Sequence, residues 1–185
     1  LVDAANPCVF VSAEEVGLAG NELPDALEAR PEVLARLEEV RQRASVAMGL
    51  TPGLAAAGRL KSIPKVAAVT SPRASATLSG TDLTPSDVDI VARMISVGQP
   101  HRAIPLTGAL CLAVACRTPG TLPNRLARAS TAGSTEVRIG QPSGRTIVDA
   151  HVIADGAAKG GHRAEHAAVY RTARRLFEGS VLVPG

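Results

Sequence analysis

Residues 109–116, ALCLAVAC, hold only small and medium apolar side chains and show no polar face at any helical period. A helix that is apolar all round belongs inside a core, and a run this short cannot span a bilayer. Thr107 with Gly108 is expected to cap its start, and Pro119-Gly120 to stop it. Its N-terminus is also a natural seat for a carboxylate or phosphate, because free amides and the helix dipole point there; a plain structural cap is the alternative.

The remaining pattern predicts elements wrapped around that helix. Residues 1–11, LVDAANPCVFV, read as strand, kink, strand, with Asp3 and Asn6 at the kink as turn residues or ligand contacts. Residues 21–30 read as a polar connection. Pro31 opens an amphipathic helix with Val33, Leu34, Leu37, Val40, Ala44 and Ala47 as its apolar stripe, ended by Gly49. Glu38–Gln42 and Glu39–Arg43 are surface pairs at helical spacing. Residues 51–62 form a small-residue loop, and IPKVAAVT at 63–70 a buried strand whose Lys65 points to solvent from a sheet edge, or else neutralises a substrate carboxylate. Residues 84–97 are expected to be a second outer helix, with Thr84 as cap, Pro85 at the first position, Asp87 completing a capping box, and Val88, Val91, Ala92 and Ile95 facing inward.

From Glu136 the pattern turns to strands: EVRIGQ, a Pro-Ser-Gly turn, then GRTIVDAHVIAD, with Val137, Ile139, Ile147 and Val152 buried. Residues 166–177 suit a helix or a strand equally, and residues 180–184 read as an edge strand.

Composition narrows the function. The net charge is +3 with both signs scattered, and two Phe, one Tyr and no Trp leave little for bases to stack on, which argues against nucleic acid. There is no stretch of membrane-spanning length and no signal-peptide pattern at the start. Three cysteines without a CxxC pair indicate a reducing, cytoplasmic setting.

Three constellations bear on chemistry. His162-Arg163-Ala164-Glu165-His166 fits H-x-x-E-H, which on a helix would hold zinc. Glycines precede it and a third ligand is lacking, so a polar linker entering a strand is the reading adopted and no metal is expected. Cys111 and Cys116 read as small hydrophobes; Cys8, after the kink, could be exposed but has no evident activator. The third set comprises Asn6 with Pro7, Thr107 with Gly108, and Ser143 with Gly144, each at the end of a regular element. Converging on one helix terminus, these would form an N–H-rich carboxylate cradle.

VDAANPCVFV, LEEVRQRASVAMGL, IPKVAAV, HRAIPLTGALCLAVACRTPGT, EVRIGQPSGRTIV and RTARRLFEGSVLVP together resemble the PrpF family of 2-methylaconitate isomerases, relatives of 4-oxalomesaconate tautomerase and methylitaconate isomerase. The resemblance implies an α+β fold of the diaminopimelate-epimerase type, a curved mixed sheet wrapped around a central apolar helix with outer helices. Residues 1–185 would be the C-terminal lobe of a two-lobed isomerase, the N-terminal lobe being absent; the chain opens at Leu1, without Met, directly into a strand. The resemblance further implies strands in the last segment, with residues 171–174 at a turn.

By the same resemblance, the reaction is a cofactor-independent proton shift on a small unsaturated tricarboxylate. Its catalytic lysine and cysteine are expected in the missing lobe and none in this one. Substrate binding carries over to Asn6, Pro7, Thr107, Gly108, Ser143 and Gly144. Ala5 stands where members often have Gly, and Cys8 where an apolar residue is common. A 4-oxalomesaconate-type tautomerase and a noncatalytic carboxylate-binding or assembly module are the alternatives. Homo-oligomers are compatible with the resemblance, and no membrane or nucleic-acid partner is implied.

Overall fold

The computed structural model describes residues 1–129, 134–158, 160–170, 174–180 and 183. Among the described residues eight strands make one mixed sheet: β1 (Val2–Ala4), β2 (Asn6–Ser12), β3 (Lys65–Thr70), β4 (Ile90–Ser96), β5 (Gln99–Pro100), β6 (Glu136–Gln141), β7 (Gly144–Ala154) and β8 (His162–Val169). Their order is β1-β2-β3-β4-β6-β7-β8, with β5 hairpinned onto β4. The β2–β3 and β4–β6 pairs are parallel and the others antiparallel. Helices α1 (Pro24–Glu28), α2 (Pro31–Ala47), α3 (Leu54–Arg59), α4 (Leu106–Arg117) and α5 (Leu122–Leu126) accompany the sheet.

The apolar run 109–116 lies in α4, buried on every side as its pattern requires. The helix packs against β1 and β2 at one end of the sheet and β7 and β8 at the other, so the sheet is curled around it. Strand alternation does the sorting. Cys8, Phe10, Ala67, Val69, Ile90, Ala92, Met94, Val137 and Ile139 face α4 in the inner core. Val9, Val66, Ala68 and Ile95 face the other way, onto Leu27 of α1 and Val33, Leu37 and Ala44 of α2. Burying each large aliphatic side chain contributes about 1.5–3 kcal/mol, which is why both faces of the central strands are apolar.

That double burial overturns the expected helix at 84–97. The capping box of Thr84 and Asp87 exists, but it starts a single 3-10 turn, Pro85–Asp87. The chain then becomes β4, with Ile90, Ala92 and Met94 on the inner face and Arg93 and Ile95 on the outer one. Arg93 is buried there, and its guanidinium donates to the Glu22 carbonyl.

Other expectations shift by smaller amounts. The polar connection at 21–30 contains α1, and the loop at 51–62 contains α3. Arg41, on the expected polar face of α2, is 1% exposed. It donates to the carbonyls of Ala57, Leu60 and Ile63 and to both oxygens of Glu38, holding α3 and the approach to β3 against α2. Ala47 is exposed rather than part of the stripe. Ile147 pairs with Arg138 on the outward face of β7, so Val148 and Ala150 are the buried positions. Residues 174–180 carry no regular structure, and most of the edge strand expected at 180–184 lies outside the described residues. Among the described residues no helix is long and apolar enough to cross a membrane.

Candidate functional site

The N-terminal end of α4 differs chemically from the rest of the helix. The chain enters through Pro105, which occupies the cap position and offers no side-chain hydrogen bond; the first helical amide bond runs from Ala109 to the Pro105 carbonyl at 2.9 Å. Thr107 is therefore inside the first turn and does not cap it, a correction to its expected role. Gly108 is required by packing. A Cβ there would lie 2.4 Å from Met94 Sδ, and 3.9 Å from Lys65 Cδ.

Four neighbouring strands meet this end with polar residues. The inward-facing series of β2 begins at Asn6 and continues as Cys8 and Phe10; that of β3 begins at Lys65 and continues as Ala67 and Val69. The series of β4 runs Ile90, Ala92, Met94 and finishes at Ser96, and that of β6 runs Val137, Ile139 and finishes at Gln141. Each strand is thus apolar along the helix body and polar at the rim. Asn6 Oδ1 is buried there without a hydrogen-bond partner.

Two of these rim residues are tied to the loops. Val97 and Gly98 both adopt positive φ, 53° and 77°, making the tight turn between β4 and β5. The returning chain brings His101 Nε2 to 2.6 Å from Ser96 Oγ. Burial, and then the Lys65 charge, hold the His101 imidazole below the usual histidine range, so it is neutral at pH 7. Gln141, 4% exposed, accepts at Oε1 from the amide of Ile104 at 3.1 Å and from that of Ser143 at 3.2 Å, while its Nε2 donates to Ser143 Oγ at 2.8 Å. One buried amide therefore joins the Pro-Ser-Gly turn to the segment entering α4.

The expected binding residues fare unequally. Thr107, Gly108, Ser143 and Gly144 come to the same rim, Gly144 with φ 127° and open space where a side chain would be. Asn6 joins them on the inner face. Pro7, by alternation, belongs with Val9 on the outer face and does not look toward α4. Lys65 is not on an edge: β3 is flanked by β2 and β4, and its lysine sits on the concave side. Ser96, His101 and Gln141 were not singled out in the sequence; each owes its place at the rim to the sheet order, which no local pattern shows.

The cysteines are all buried, Cys8 included. Cys111 donates to the Val2 carbonyl at 3.5 Å. A hydrogen bond between the Cys8 and Cys111 thiols, and then burial, push Cys8 far up, while the same bond eases Cys111 down. Burial pushes Cys116 up to about 12. The H-x-x-E-H stretch lies on β8, where residues four apart are separated by roughly 13 Å, too far to share a metal ion. His166 instead stacks beside its cross-strand partner His151, ring centroids 5.8 Å apart, and Glu165 Oε2 lies 2.9 Å from His151 Nδ1.

Two clefts flank the helix. One, about 420 Å³, opens where the sheet's two edges approach, between Asp3, Ala4, Leu110, Val114 and His166. The other, about 380 Å³, sits at the C-terminal end of α4. Its arginines are engaged: Arg138 grips Asp89 at 2.7 Å, Arg128 donates to the Pro85 carbonyl, and Arg117 to that of Glu136.

The molecule is an α+β lobe in which a mixed sheet curls about a buried helix and presents a polar seat at that helix's N-terminal end. The chain belongs to the PrpF protein family, whose profile matches residues 1–184. It is 36% identical over 185 residues to the 3-methylitaconate isomerase of Eubacterium barkeri, covering 99% of this chain and 47% of that protein. It is 35% identical to the 2-methyl-aconitate isomerase of Shewanella oneidensis, covering 100% and 45%. A crystal structure of methylitaconate-delta-isomerase superposes with a TM-score of 0.79 at 32% identity, over 91% of this chain and 44% of the other. The chain spans about half the length of the curated relatives it matches.

Proposed function

We propose that this chain is the substrate-binding lobe, of diaminopimelate-epimerase type, of a cofactor-independent isomerase acting on small unsaturated tricarboxylates. The observation that carries the reading is the polar rim around the α4 N-terminus, set on a lobe whose relatives are named methylitaconate and methylaconitate isomerases. In this reading Asn6, Thr107, Gly108, Ser143 and Gly144 line the seat. The free amides of the first helical turn and the dipole behind them favour carboxylate and the enolate-like charge that grows as a proton leaves the adjacent carbon. Gln141 and His101 hold the seat's loops in place. The acid and base that move the proton belong to a lobe N-terminal to this chain, and catalysis occurs where the two lobes face each other.

The experiment compares the 185-residue chain with the same chain joined to its upstream reading frame. Both are assayed by ultraviolet absorbance on 2-methylaconitate, methylitaconate and 4-oxalomesaconate. Turnover is expected from the joined protein alone. Turnover by the 185-residue chain overturns the division of roles, and an inactive joined protein on all three substrates overturns the function.

A further inference from the structure

We propose that Lys65 is the charge-pairing residue of this seat, its ammonium meeting a ligand carboxylate beside the first turn of α4. The proposal rests on the carboxylate reading above and adds to it a cation that β3 carries on its concave side.

Position is the first argument. Val66 and Ala68 pack outward and Ala67 and Val69 inward, so Lys65 belongs to the inward series. Its side chain runs past Gly108: Cδ lies 3.9 Å from where a Cβ on that glycine would be, and the ammonium is two bonds further on. A side chain at 108 would press on Met94 and on this lysine stem together.

Charge is the second argument. Among the described residues Lys65 makes no hydrogen bond and no ion pair, although it is half-buried on an interior strand. A cation withdrawn from water without a counter-ion is costly, and proteins normally pair it. Its near neighbours do not neutralise it: His101 is neutral, Ser96 is engaged with His101, and the Cys8 thiol is pushed up and stays protonated, while the Asp3 carboxylate, whose charge also reaches Cys8, is exposed on β1 and forms no ion pair with the lysine. An unpaired cation beside the mouth of a helix with no side-chain cap leaves room for one ligand carboxylate to meet both the ammonium and the free amides of the first turn. Lysine serves here as a compact point charge on a long stem, able to follow carboxylates of slightly different placement.

The test uses the 185-residue protein and propane-1,2,3-tricarboxylate as the probe, titrated by amide chemical-shift changes. The variants are Lys65→Met, Lys65→Arg and, as a control on the exposed surface, Lys61→Met. Saturable shifts in residues 104–109 are expected for the wild type. Lys65→Met should weaken binding roughly 10- to 100-fold, the loss of one charge-assisted contact, while Lys65→Arg should keep most of the affinity. Lys61→Met should bind as the wild type does. Thermal unfolding supplies a readout that a structural lysine would not give: Lys65→Met should be as stable as the wild type or more so, because the replacement removes an unpaired, half-buried charge. Wild-type binding that survives in Lys65→Met overturns this proposal alone. A destabilised Lys65→Met also overturns it, by making the lysine a structural element. A wild type that shows no saturable shift with the tricarboxylate overturns the carboxylate reading itself, and the role of Lys65 with it.

Discussion

Gln141 Oε1 accepts the backbone amide of Ile104 at 3.1 Å across 37 residues of sequence, and this one bond fixes how the chain enters the central helix. The same side chain holds Ser143, so the turn after β6 and the first turn of α4 move as a unit. Replacing Gln141 with Leu leaves the amides of Ile104 and Ser143 without this acceptor at a part-buried junction. The expected cost is about 1–3 kcal/mol, read by urea unfolding, with a loss of tricarboxylate affinity larger than that of a Ser143→Ala variant. An equally stable Gln141→Leu protein would show that water replaces the bonds and that the tether is dispensable.

Gly108 and Met94 form a second coupled pair. Alanine has the higher helix propensity by about 1 kcal/mol, so Gly108→Ala would stabilise a free helix. Here the new methyl meets the Met94 thioether in a core where Met94 is 2% exposed, and overpacking should cost about 1–3 kcal/mol. A double-mutant cycle decides between packing and any other role of the glycine: in a Met94→Ala background, Gly108→Ala should become neutral or stabilising. Additive effects in that cycle would remove Met94 as the cause.

What could be read from the sequence follows from whether a residue's role is local. Residues 109–116 were legible because an unbroken small-apolar run has one sensible location. The strand, kink, strand order of residues 1–11 was legible from the break at Asn6-Pro7, but the chain reverses at Ala5, and Asn6 and Pro7 already pair with Ala4 and Asp3. The segment 84–97 was misread because its local signals are true: Thr84, Pro85 and Asp87 do cap a turn, but β4 then shows no alternation, since apolar residues occupy both of its faces. Lys65 was assigned to an edge because nothing in IPKVAAVT tells that β2 and β4 flank it from residues far away in sequence. Gln141 was missed for the same reason. The seat is built from the ends of strands, and only the sheet order shows that those ends are neighbours.

Acid should loosen the outer layer through Glu38. Its bidentate hydrogen bond with Arg41 is the main cause holding the Glu38 carboxyl below the usual glutamate range, against a smaller opposing effect of burial. The folded pKa is thus lower than the unfolded one, and the stabilisation is fully present above the unfolded value of 4.5 and is lost as pH falls through the folded pKa. Glu38→Gln should be less stable at neutral pH, because Arg41 loses its counter-ion while 1% exposed, and its stability should fall less steeply below pH 4.5. Urea midpoints from pH 7 to pH 3 measure both effects. Parallel profiles for the two proteins would show that this pair does not govern the acid response.

Ala5 offers a prediction in the stabilising direction. It is the single residue between β1 and β2, and the pairing of Ala4 with Asn6 forces it to φ 65°. An alanine in the left-handed region costs about 1–2 kcal/mol through its Cβ, whereas glycine adopts it freely and returns about 0.5–1 kcal/mol of that gain to unfolded-chain entropy. Ala5→Gly should therefore raise stability by up to about 1 kcal/mol, seen as a higher urea midpoint at unchanged slope. The position also sets the direction of Asn6, the first inward residue of β2. If the strain serves to aim Asn6 into the seat, the more stable Ala5→Gly protein should bind the tricarboxylate more weakly. If affinity is unchanged while stability rises, the alanine is a tolerated departure from the better turn residue and Asn6 is held by β2 alone.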